Sequence, residues 1–244
     1  MTQVVVKHLW KQFEGHVVLE NVNLKVDDHE FVTIVGASGC GKTTFLKMLL
    51  GIEAPSRGSF LIDGQPLPTE PGPDRGIVFQ RYSLFPHLTV MGNLLLGLEL
   101  QGAPILCRLF GARRRRALAK AHELLEAVGL EAAANKYPAQ LSGGMQQRLS
   151  IAQSVICEPK ILLLDEPFGA LDPGITSDMH ALILKLWNMN KMTIFMVTHD
   201  LQESFALGTR VLVFDKVRID SQAPEAYGAT ITFNIPLKGH RSPG

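Results

Sequence analysis

The chain has 244 residues, of which 46% are hydrophobic and 19% are charged, so it is long enough to fold around one sizeable core. Its formal net charge is only +1, which disfavours nucleic acid as a partner, because proteins that bind nucleic acid usually carry a larger basic excess. The three cysteines, Cys40, Cys107 and Cys157, have neither a paired pattern nor a metal-ligand spacing, as is typical of a reducing compartment.

The start of the chain and its apolar stretches predict a protein without a secretory signal or a membrane span. The first seven residues lack the basic start and the long apolar stretch of such a signal. The longest uncharged stretch, residues 82–98, is interrupted by Pro86, Gly92 and Gly97. It is also shorter than the roughly 20 apolar residues that a spanning helix needs.

The first part of the chain is predicted to contain strands and one helix. Residues 4–9 and 17–26 have the mixed apolar and polar pattern of antiparallel strands with one wet face. Residues 31–35 form a β-rich run that ends in glycine, as a buried strand does, and residues 44–50 have the pattern of a helix. A strand, a glycine loop and a helix in this order open a βαβ unit.

The rest of the chain is predicted to return to strands after a helical region at 82–158, in which residues 114–128 have clear helical spacing. The wholly apolar runs among the strands are typical of parallel strands buried on both faces. A helix is predicted at 179–189, and the tail after residue 215 is weakly patterned. The predicted strands lie at 58–63, 76–80, 161–164, 193–198 and 211–214.

Residues 36–43 match the motif G-x-x-x-x-G-K-[ST] in full. Glycines let successive backbone N–H groups turn inward around a polyphosphate, and the helix that follows adds the positive end of its dipole. We expect Lys42 to reach the β- and γ-phosphates of a nucleotide and the Thr43 hydroxyl to ligate Mg²⁺. Cys40 is interpreted as a small residue tolerated in the loop. The predicted ATP-binding residues here are Gly36, Ala37, Ser38, Gly39, Cys40, Gly41, Lys42, Thr43 and Thr44.

A second set of candidate residues follows the apolar strand predicted at 161–164. A strand that ends in a carboxylate delivers it to the sheet edge where open α/β sheets bind ligands. We therefore expect Asp165 to hold Mg²⁺ through its water shell and Glu166 to act as the general base that orients the attacking water. An Asp-Glu pair after a strand is as often an exposed turn, and only the neighbouring phosphate-binding motif favours the catalytic interpretation.

The segment Leu141-Ser142-Gly143-Gly144-Met145-Gln146 is a second candidate anion site. Ser142 occupies a predicted N-cap position before a helix at 145–156, and two glycines before a helix expose backbone N–H groups. A chain that already has one phosphate site does not need another, so this helix start needs a separate explanation. These residues resemble the signature of the ABC ATPases, which in that family caps the γ-phosphate of ATP held by the opposite subunit.

The resemblance to the ABC ATPases extends from about residue 3 to about residue 220. It implies the α/β fold class: a P-loop NTPase with a RecA-like mixed sheet, an antiparallel N-terminal β subdomain and an inserted α-helical subdomain. The whole chain, 1–244, would be one ABC ATPase domain. Within it the implied parts are a nucleotide-binding core at 1–81 and 159–220, a helical insertion with the signature motif at 82–158, and a C-terminal tail at 221–244.

The resemblance also implies roles for residues that carry no motif alone. Gln80 matches the family's loop glutamine, His199 its switch histidine at the γ-phosphate, and Asp172, in Ala170-Leu171-Asp172, its loop at the dimer interface. Phe13 lies where the family places an aromatic on adenine, with Trp10 as the alternative and a core aromatic as the plain interpretation. The implied catalytic residues are Glu166, His199, Lys42 and Gln80; the further ATP contacts are Phe13, Ser142, Gly143, Gly144 and Asp172; and the Mg²⁺ ligands are Thr43, Gln80 and Asp165.

The implied cofactors are ATP and Mg²⁺, and the implied partners are a second copy of the chain in a head-to-tail dimer and integral-membrane permease subunits. An external substrate-binding protein would be an indirect partner. Residues 74–80, Leu84-Phe85-Pro86 and 163–172 are similar to the nitrate, sulfonate and taurine group of importers. Such a subunit would lie on the cytoplasmic face of the inner (plasma) membrane. Residues 82–98 are either a socket for a cytoplasmic helix of the permease or ordinary subdomain core.

Other functions remain as alternatives. An exporter or lipid-transport ATPase would share these motifs, whereas a non-transport ABC ATPase would need a long coiled-coil insertion or a second cassette. A kinase or GTPase is disfavoured by residues 141–146, and a non-catalytic subunit by the intact Lys42, Asp165, Glu166 and His199. The sequence leaves open the cargo, the direction of transport, pairing with a different ATPase, and the roles of the arginine run at 113–116 and of the tail.

Overall fold

The structure, a computed structural model, describes residues 2–80, 83–102, 108–169, 171–218, 222 and 225–237. The strands are β1 (Val4–Phe13), β2 (His16–Val26), β3 (Phe31–Gly36), β4 (Arg57–Ile62), β5 (Gln65–Pro66), β6 (Arg75–Val78), β7 (Ile161–Asp165), β8 (Thr193–Val197), β9 (Arg210–Asp215) and β10 (Thr230–Pro236). The helices are α1 (Lys42–Leu50), α2 (Val90–Gly102), α3 (Gly111–Ala127), α4 (Gly143–Val155), α5 (Pro173–Asn190) and α6 (Leu201–Leu207).

The strands form two sheets. β2, β1, β4 and β5 lie in that order in a four-stranded antiparallel sheet. The six-stranded sheet has the order β10-β9-β3-β8-β7-β6, with β10 antiparallel to β9 and the other pairs parallel. The parallel strands β3, β7 and β8 are buried along almost their whole length, which explains why their sequences are unbroken apolar runs.

The six-stranded sheet separates two apolar cores, because alternate residues of a strand point to opposite faces. Leu162, Leu164 and Ile194 pack with helices α2 to α5 on one face. Leu163 and Phe195 pack on the other face with α1 and the antiparallel sheet. Helix α1 lies between the two sheets, since the Phe45 ring contacts Phe60 of β4 at 5.5 Å and Phe214 of β9 at 5.4 Å between ring centroids.

Three of the elements named above had no recognised pattern: the two-residue strand β5, helix α6 and strand β10. Helix α6 follows β8 after a short loop, and its N-cap is Asp200, whose side chain accepts a hydrogen bond from the Gln202 backbone N–H at 2.7 Å. Strand β10 lies in the segment that was expected to be a tail, where its exposed side chains gave no signal. A further difference is that β6 ends at Val78, so Gln80 lies two residues beyond the strand rather than at its end.

Within the described ranges, no helix combines the length and the apolar character that crossing a bilayer requires.

Candidate active site

The phosphate-binding motif forms a loop between the end of β3 and the start of α1. Gly36 has φ near +150°, and a Cβ there would lie 2.1 Å from the Phe214 carbonyl oxygen, so any larger residue would collide with β9. Gly41 stands at the N-cap of α1 in the left-handed conformation, which glycine adopts without strain. The loop backbone therefore needs glycine at both ends.

Lys42 turns back into this loop. Its side chain is buried, and its ammonium donates to the carbonyl oxygens of Gly36 at 2.7 Å and Ala37 at 2.9 Å. A buried ammonium needs such partners because desolvating an unpaired charge is costly. The phosphates of a nucleotide can take over this role, since the same ammonium already lies inside the loop that would hold them.

A cavity of about 490 Å³ opens in front of the loop. Its lining comes from the loop and the start of α1, together with Val18, Glu166 and His199. The structure thus brings the predicted phosphate loop, the predicted general base and the predicted switch histidine to one space. Among the described residues that line this cavity, none comes from 142–144, and neither Phe13 nor Asp172 contributes.

The two main candidate Mg²⁺ ligands are already joined. The Thr43 hydroxyl donates to Asp165 Oδ1 at 3.1 Å. Burial raises the pKa of the Asp165 carboxyl above its ordinary value, and the hydrogen bond from Thr43 offsets part of that effect. One hydroxyl and one carboxylate fit Mg²⁺, which prefers oxygen ligands and takes the remainder from waters and substrate phosphates. The described residues include no cluster of three or more His, Cys, Asp or Glu side chains that would form an all-protein metal cage.

Glu166 lies close to two other predicted catalytic residues, Gln80 and His199. Its Oε2 accepts a hydrogen bond from Gln80 Nε2 at 3.4 Å and lies 3.8 Å from His199 Nδ1. Its backbone has φ near +48°, an uncommon conformation for a residue with a side chain, and it donates its N–H to the Val197 carbonyl at 3.0 Å. This backbone turn directs the carboxylate from the end of β7 toward the loops that carry Gln80 and His199.

The predicted signature residues form a helix start elsewhere on the surface. Ser142 is the N-cap of α4, and its hydroxyl accepts a hydrogen bond from the Met145 N–H at 3.3 Å, as predicted. Ser142 and Gly143 are exposed. Asp172 is likewise exposed at the start of α5, and its neighbour Ala170 lies outside the described residues.

The aromatic that was predicted to stack on adenine stands at the end of β1. Phe13 is 41% exposed, and the Lys11 ammonium lies 4.3 Å from its ring centroid. Trp10, the alternative, is partly buried in the same strand. Stacking of adenine on Phe13 stays a prediction, since neither ring lines the described cavity.

A second cavity of about 490 Å³ shares Glu166 and His199 with the first, and it includes residues that sequence reasoning missed. Glu203 accepts a hydrogen bond from the Thr198 hydroxyl at 2.6 Å, which anchors the loop of His199. His180 of α5 contacts the Phe168 ring edge-on with centroids 5.0 Å apart. Only their position shortly after predicted catalytic residues could have drawn attention to Glu203 and Phe168.

Helix α4, which starts at the predicted signature, is also bonded to the loop of the predicted general base. Gln147 Nε2 of α4 donates to the Pro167 carbonyl at 2.6 Å in a buried position. Pro167 directly follows Glu166, so one hydrogen bond connects α4 to the loop that carries the predicted general base. No local sequence signal distinguishes Gln147 from its neighbour Gln146.

Cys40 allows a test of the loop. Its side chain is 4% exposed, and burial raises the pKa of its thiol although nearby Lys42 partly lowers it. Because the thiolate is the reactive form, we expect iodoacetamide to label Cys40 at least about tenfold more slowly than free cysteine at neutral pH, with a rate that rises as the pH approaches the raised pKa. Peptide mass spectrometry at several pH values measures this rate.

Complete labelling of Cys40 should then block ATP binding, because its Sγ lies 3.9 Å from Lys42 Nζ. A Cys40→Ala variant treated in the same way controls for modification at other cysteines and should keep its activity. Unchanged ATPase activity after full labelling of Cys40 would contradict a nucleotide position on this loop.

Known proteins resemble this chain over most of its length. The ABC transporter family matches residues 19–169. The nitrate import ATP-binding protein NrtD of Synechocystis sp. is 42% identical over 220 residues, which cover 90% of this chain and 77% of that protein. The aliphatic sulfonates import ATP-binding protein SsuB of Bacillus anthracis is 38% identical over 209 residues, which cover 86% of this chain and 78% of that protein.

Solved structures resemble the fold over nearly its whole length. One is the dimeric structure of an ATP-binding cassette in a post-hydrolysis state, bound to ADP and Pi. It is 29% identical in sequence, the match covers 97% of this chain and 99% of that chain, and the TM-score is 0.76. The predicted α/β P-loop NTPase fold is confirmed.

Proposed function

Since this chain belongs to the ABC transporter family and is an ATP-binding, ATP-hydrolysing subunit of that family, we propose that two copies of it drive the import of a small anion through a separate membrane permease. The named relatives are ATP-binding proteins of nitrate import and of aliphatic sulfonates import, which supports an anion as the cargo. The chain would then lie on the cytoplasmic face of the membrane and receive its cargo indirectly from an external binding protein.

The observation that carries the proposal is the incomplete ATP site within one chain. The phosphate loop, Glu166 and His199 surround one cavity, whereas Ser142 and Gly143 form an exposed helix start that does not line it. A head-to-tail dimer completes the site, because the helix start of one copy caps the ATP on the other copy. The dimeric state of the similar ATP-binding cassette supports this arrangement.

The proposed mechanism rests on positioning and charge. Lys42 binds the β- and γ-phosphates, while Thr43 and Asp165 would hold Mg²⁺, which would neutralise charge on the phosphates when bound. Glu166 acts as the general base that takes a proton from the attacking water, Gln80 would contact Mg²⁺ or that water, and His199 contacts the γ-phosphate. Backbone N–H groups at the start of the partner's α4 stabilise the same phosphate.

We propose that the chain is divided into the parts that the sequence suggested, with one addition. Residues 1–81 and 159–220 form the nucleotide-binding core, and residues 82–158 form the helical insertion. Strand β10, within residues 221–244, belongs with the core because it pairs with β9.

The proposed permease socket, residues 82–98, includes the loop before α2 and the first part of this helix. Buried Asn93 holds this loop rigid: its Oδ1 accepts from the Phe85 N–H at 2.8 Å, and its Nδ2 donates to the carbonyls of Phe85, Leu88 and Thr89 at 3.0 to 3.1 Å. The Phe85 ring is nevertheless 39% exposed. A fixed backbone that presents an apolar ring is suited to receive a helix of another protein. Tyr82, at the start of the predicted socket, lies outside the described residues.

We expect Phe85→Glu to release the subunit from its permease and to abolish ATP-dependent anion uptake, while Mg-ATP binding stays within about twofold of the parent, because a desolvated carboxylate is costly in an apolar interface. Co-purification with the permease and uptake by reconstituted vesicles measure the two effects. Phe205→Glu, at an aromatic of α6 that is 53% exposed, is the matched control. Retained co-purification of Phe85→Glu would contradict the socket.

A further inference from the structure

The segment from Glu225 to Pro236, which we name the C-terminal strap, connects the two sheets. Its strand β10 pairs with β9 of the six-stranded sheet, and its first residues pair with β2 of the four-stranded sheet. Three backbone hydrogen bonds of 2.9 Å make this second connection. Val17 N–H donates to the Glu225 carbonyl, Glu20 N–H donates to the Ala229 carbonyl, and Ala229 N–H donates to the Val18 carbonyl.

Side chains reinforce the same junction. The Glu20 carboxylate accepts a hydrogen bond from the Gly228 N–H at 3.3 Å and forms an ion pair with Arg218. The guanidinium of Arg218 in turn lies 4.3 Å from the centroid of the Tyr227 ring. Ala229 is completely buried. The strap thus covers what would otherwise be the free edge of β2, which is the outermost strand of its sheet.

The part of β2 that the strap holds is the part that touches the phosphate-binding loop. A Cβ on Gly41 would lie 2.7 Å from Leu19 Cδ2 and 2.9 Å from Val18 Cγ1, so both side chains pack closely against Gly41, the N-cap of α1. Val18 also lines the cavity in front of the loop. The backbone of Val18 and Glu20 is therefore bonded to the strap, while the side chains of Val18 and Leu19 contact the phosphate-binding loop.

We propose that the C-terminal strap is a positioning device for ATP binding. It holds β2 against the phosphate loop, so that Val18, Leu19 and Gly41 keep the spacing that a nucleotide needs. This inference rests on the proposed placement of ATP on residues 36–44. Because none of the strap residues touches Glu166, His199 or Gln80 in the described contacts, the strap acts on ATP affinity rather than on the chemical step.

The test compares two strap variants with a matched control by calorimetric titration of Mg-ATP and by steady-state kinetics. Glu20→Gln weakens the ion pair with Arg218 and should raise the Kd for Mg-ATP and the KM about threefold, with kcat within about twofold of the parent. Gly228→Val places side-chain atoms against the Leu19 backbone, since a Cβ there would lie 2.8 Å from Leu19 C, and should raise both constants about tenfold.

The control is Glu30→Gln. Glu30 is also a largely buried partner in an ion pair, with Arg210 at 3.1 Å, but it precedes β3 at the end opposite to Gly36. Glu30→Gln should therefore leave the Kd for Mg-ATP unchanged. Thermal unfolding of all variants shows whether they fold. If Gly228→Val does not fold, the titration of Glu20→Gln still decides the test.

Parent-like Mg-ATP affinity in folded Glu20→Gln and Gly228→Val would overturn the inference. Equal weakening by Glu30→Gln would also overturn it, because loss of affinity would then follow from general destabilisation. Titration of Lys42→Ala with Mg-ATP distinguishes failure of the proposed nucleotide position from failure of the strap inference. If that variant binds Mg-ATP normally, the proposed nucleotide position is wrong. If it does not, a negative result with the strap variants concerns the strap alone.

Discussion

Glu166→Gln is expected to lower steady-state ATP hydrolysis by at least about a hundredfold while the chain still dimerises in Mg-ATP. The amide has the shape of the carboxylate and can keep a hydrogen bond with Gln80, which in the parent spans 3.4 Å. The amide of the new glutamine is not basic enough to take a proton from water. ATP should then remain bound between two closed chains. Phosphate release measures turnover, and size-exclusion chromatography with light scattering measures the dimer.

The control for this substitution is Glu158→Gln. Glu158 has φ near +54° and Glu166 has φ near +48°, so the same chemical change is made in a similar, uncommon backbone conformation. Glu158 is paired with Lys120 at 2.8 Å, far along the chain from the phosphate loop, and its variant should hydrolyse ATP at the parent rate. Turnover above a tenth of the parent rate in Glu166→Gln, or a monomer in saturating Mg-ATP, would contradict the mechanism.

Much of the fold was predictable because buried strands have a recognisable pattern of apolar residues in the sequence. The strands β3, β7 and β8 are buried on both faces, and their apolar runs placed them to within a residue or two at each end. Strand β10 has no such pattern. Its last four residues are exposed, and it is held by pairing with β9 through backbone groups that every residue has. Edge pairing of this kind depends on the neighbouring strand rather than on the side chains.

The residues of the candidate site likewise fall into those that the sequence predicts and those that it does not. Lys42, Thr43, Asp165 and Glu166 belong to short contiguous motifs, so local order in the sequence was enough to predict that they meet. Val18 enters the same cavity from a strand that carries no motif. The strap approaches it from more than 200 residues along the chain, as the bond between Gly228 and Glu20 shows. Contacts of this kind follow from the three-dimensional path of the chain, and a single sequence has no local record of them.

Two inactive variants should restore ATP hydrolysis to each other if the site is shared between chains. Lys42→Ala removes the ammonium that lies within the phosphate loop, and alone it should lower hydrolysis at least about a hundredfold. Gly143→Asp places a carboxylate at the first turn of α4, where it suits the helix dipole but repels a γ-phosphate, and alone it should be similarly inactive. In the Gly143→Asp variant the start of α4 is therefore folded but unable to cap ATP.

In a mixed dimer the chain with Gly143→Asp still supplies an intact phosphate loop, and the chain with Lys42→Ala supplies an intact α4 start. One of the two sites is then complete. Random pairing of equal amounts makes half of the dimers mixed, so activity should return to about a quarter of the parent level if the sites act independently. Gly143→Ala, which adds no charge, is the control and should retain most activity. Mixtures that dimerise in Mg-ATP but stay inactive would contradict a shared site, because each phosphate loop would then depend on the α4 start of its own chain.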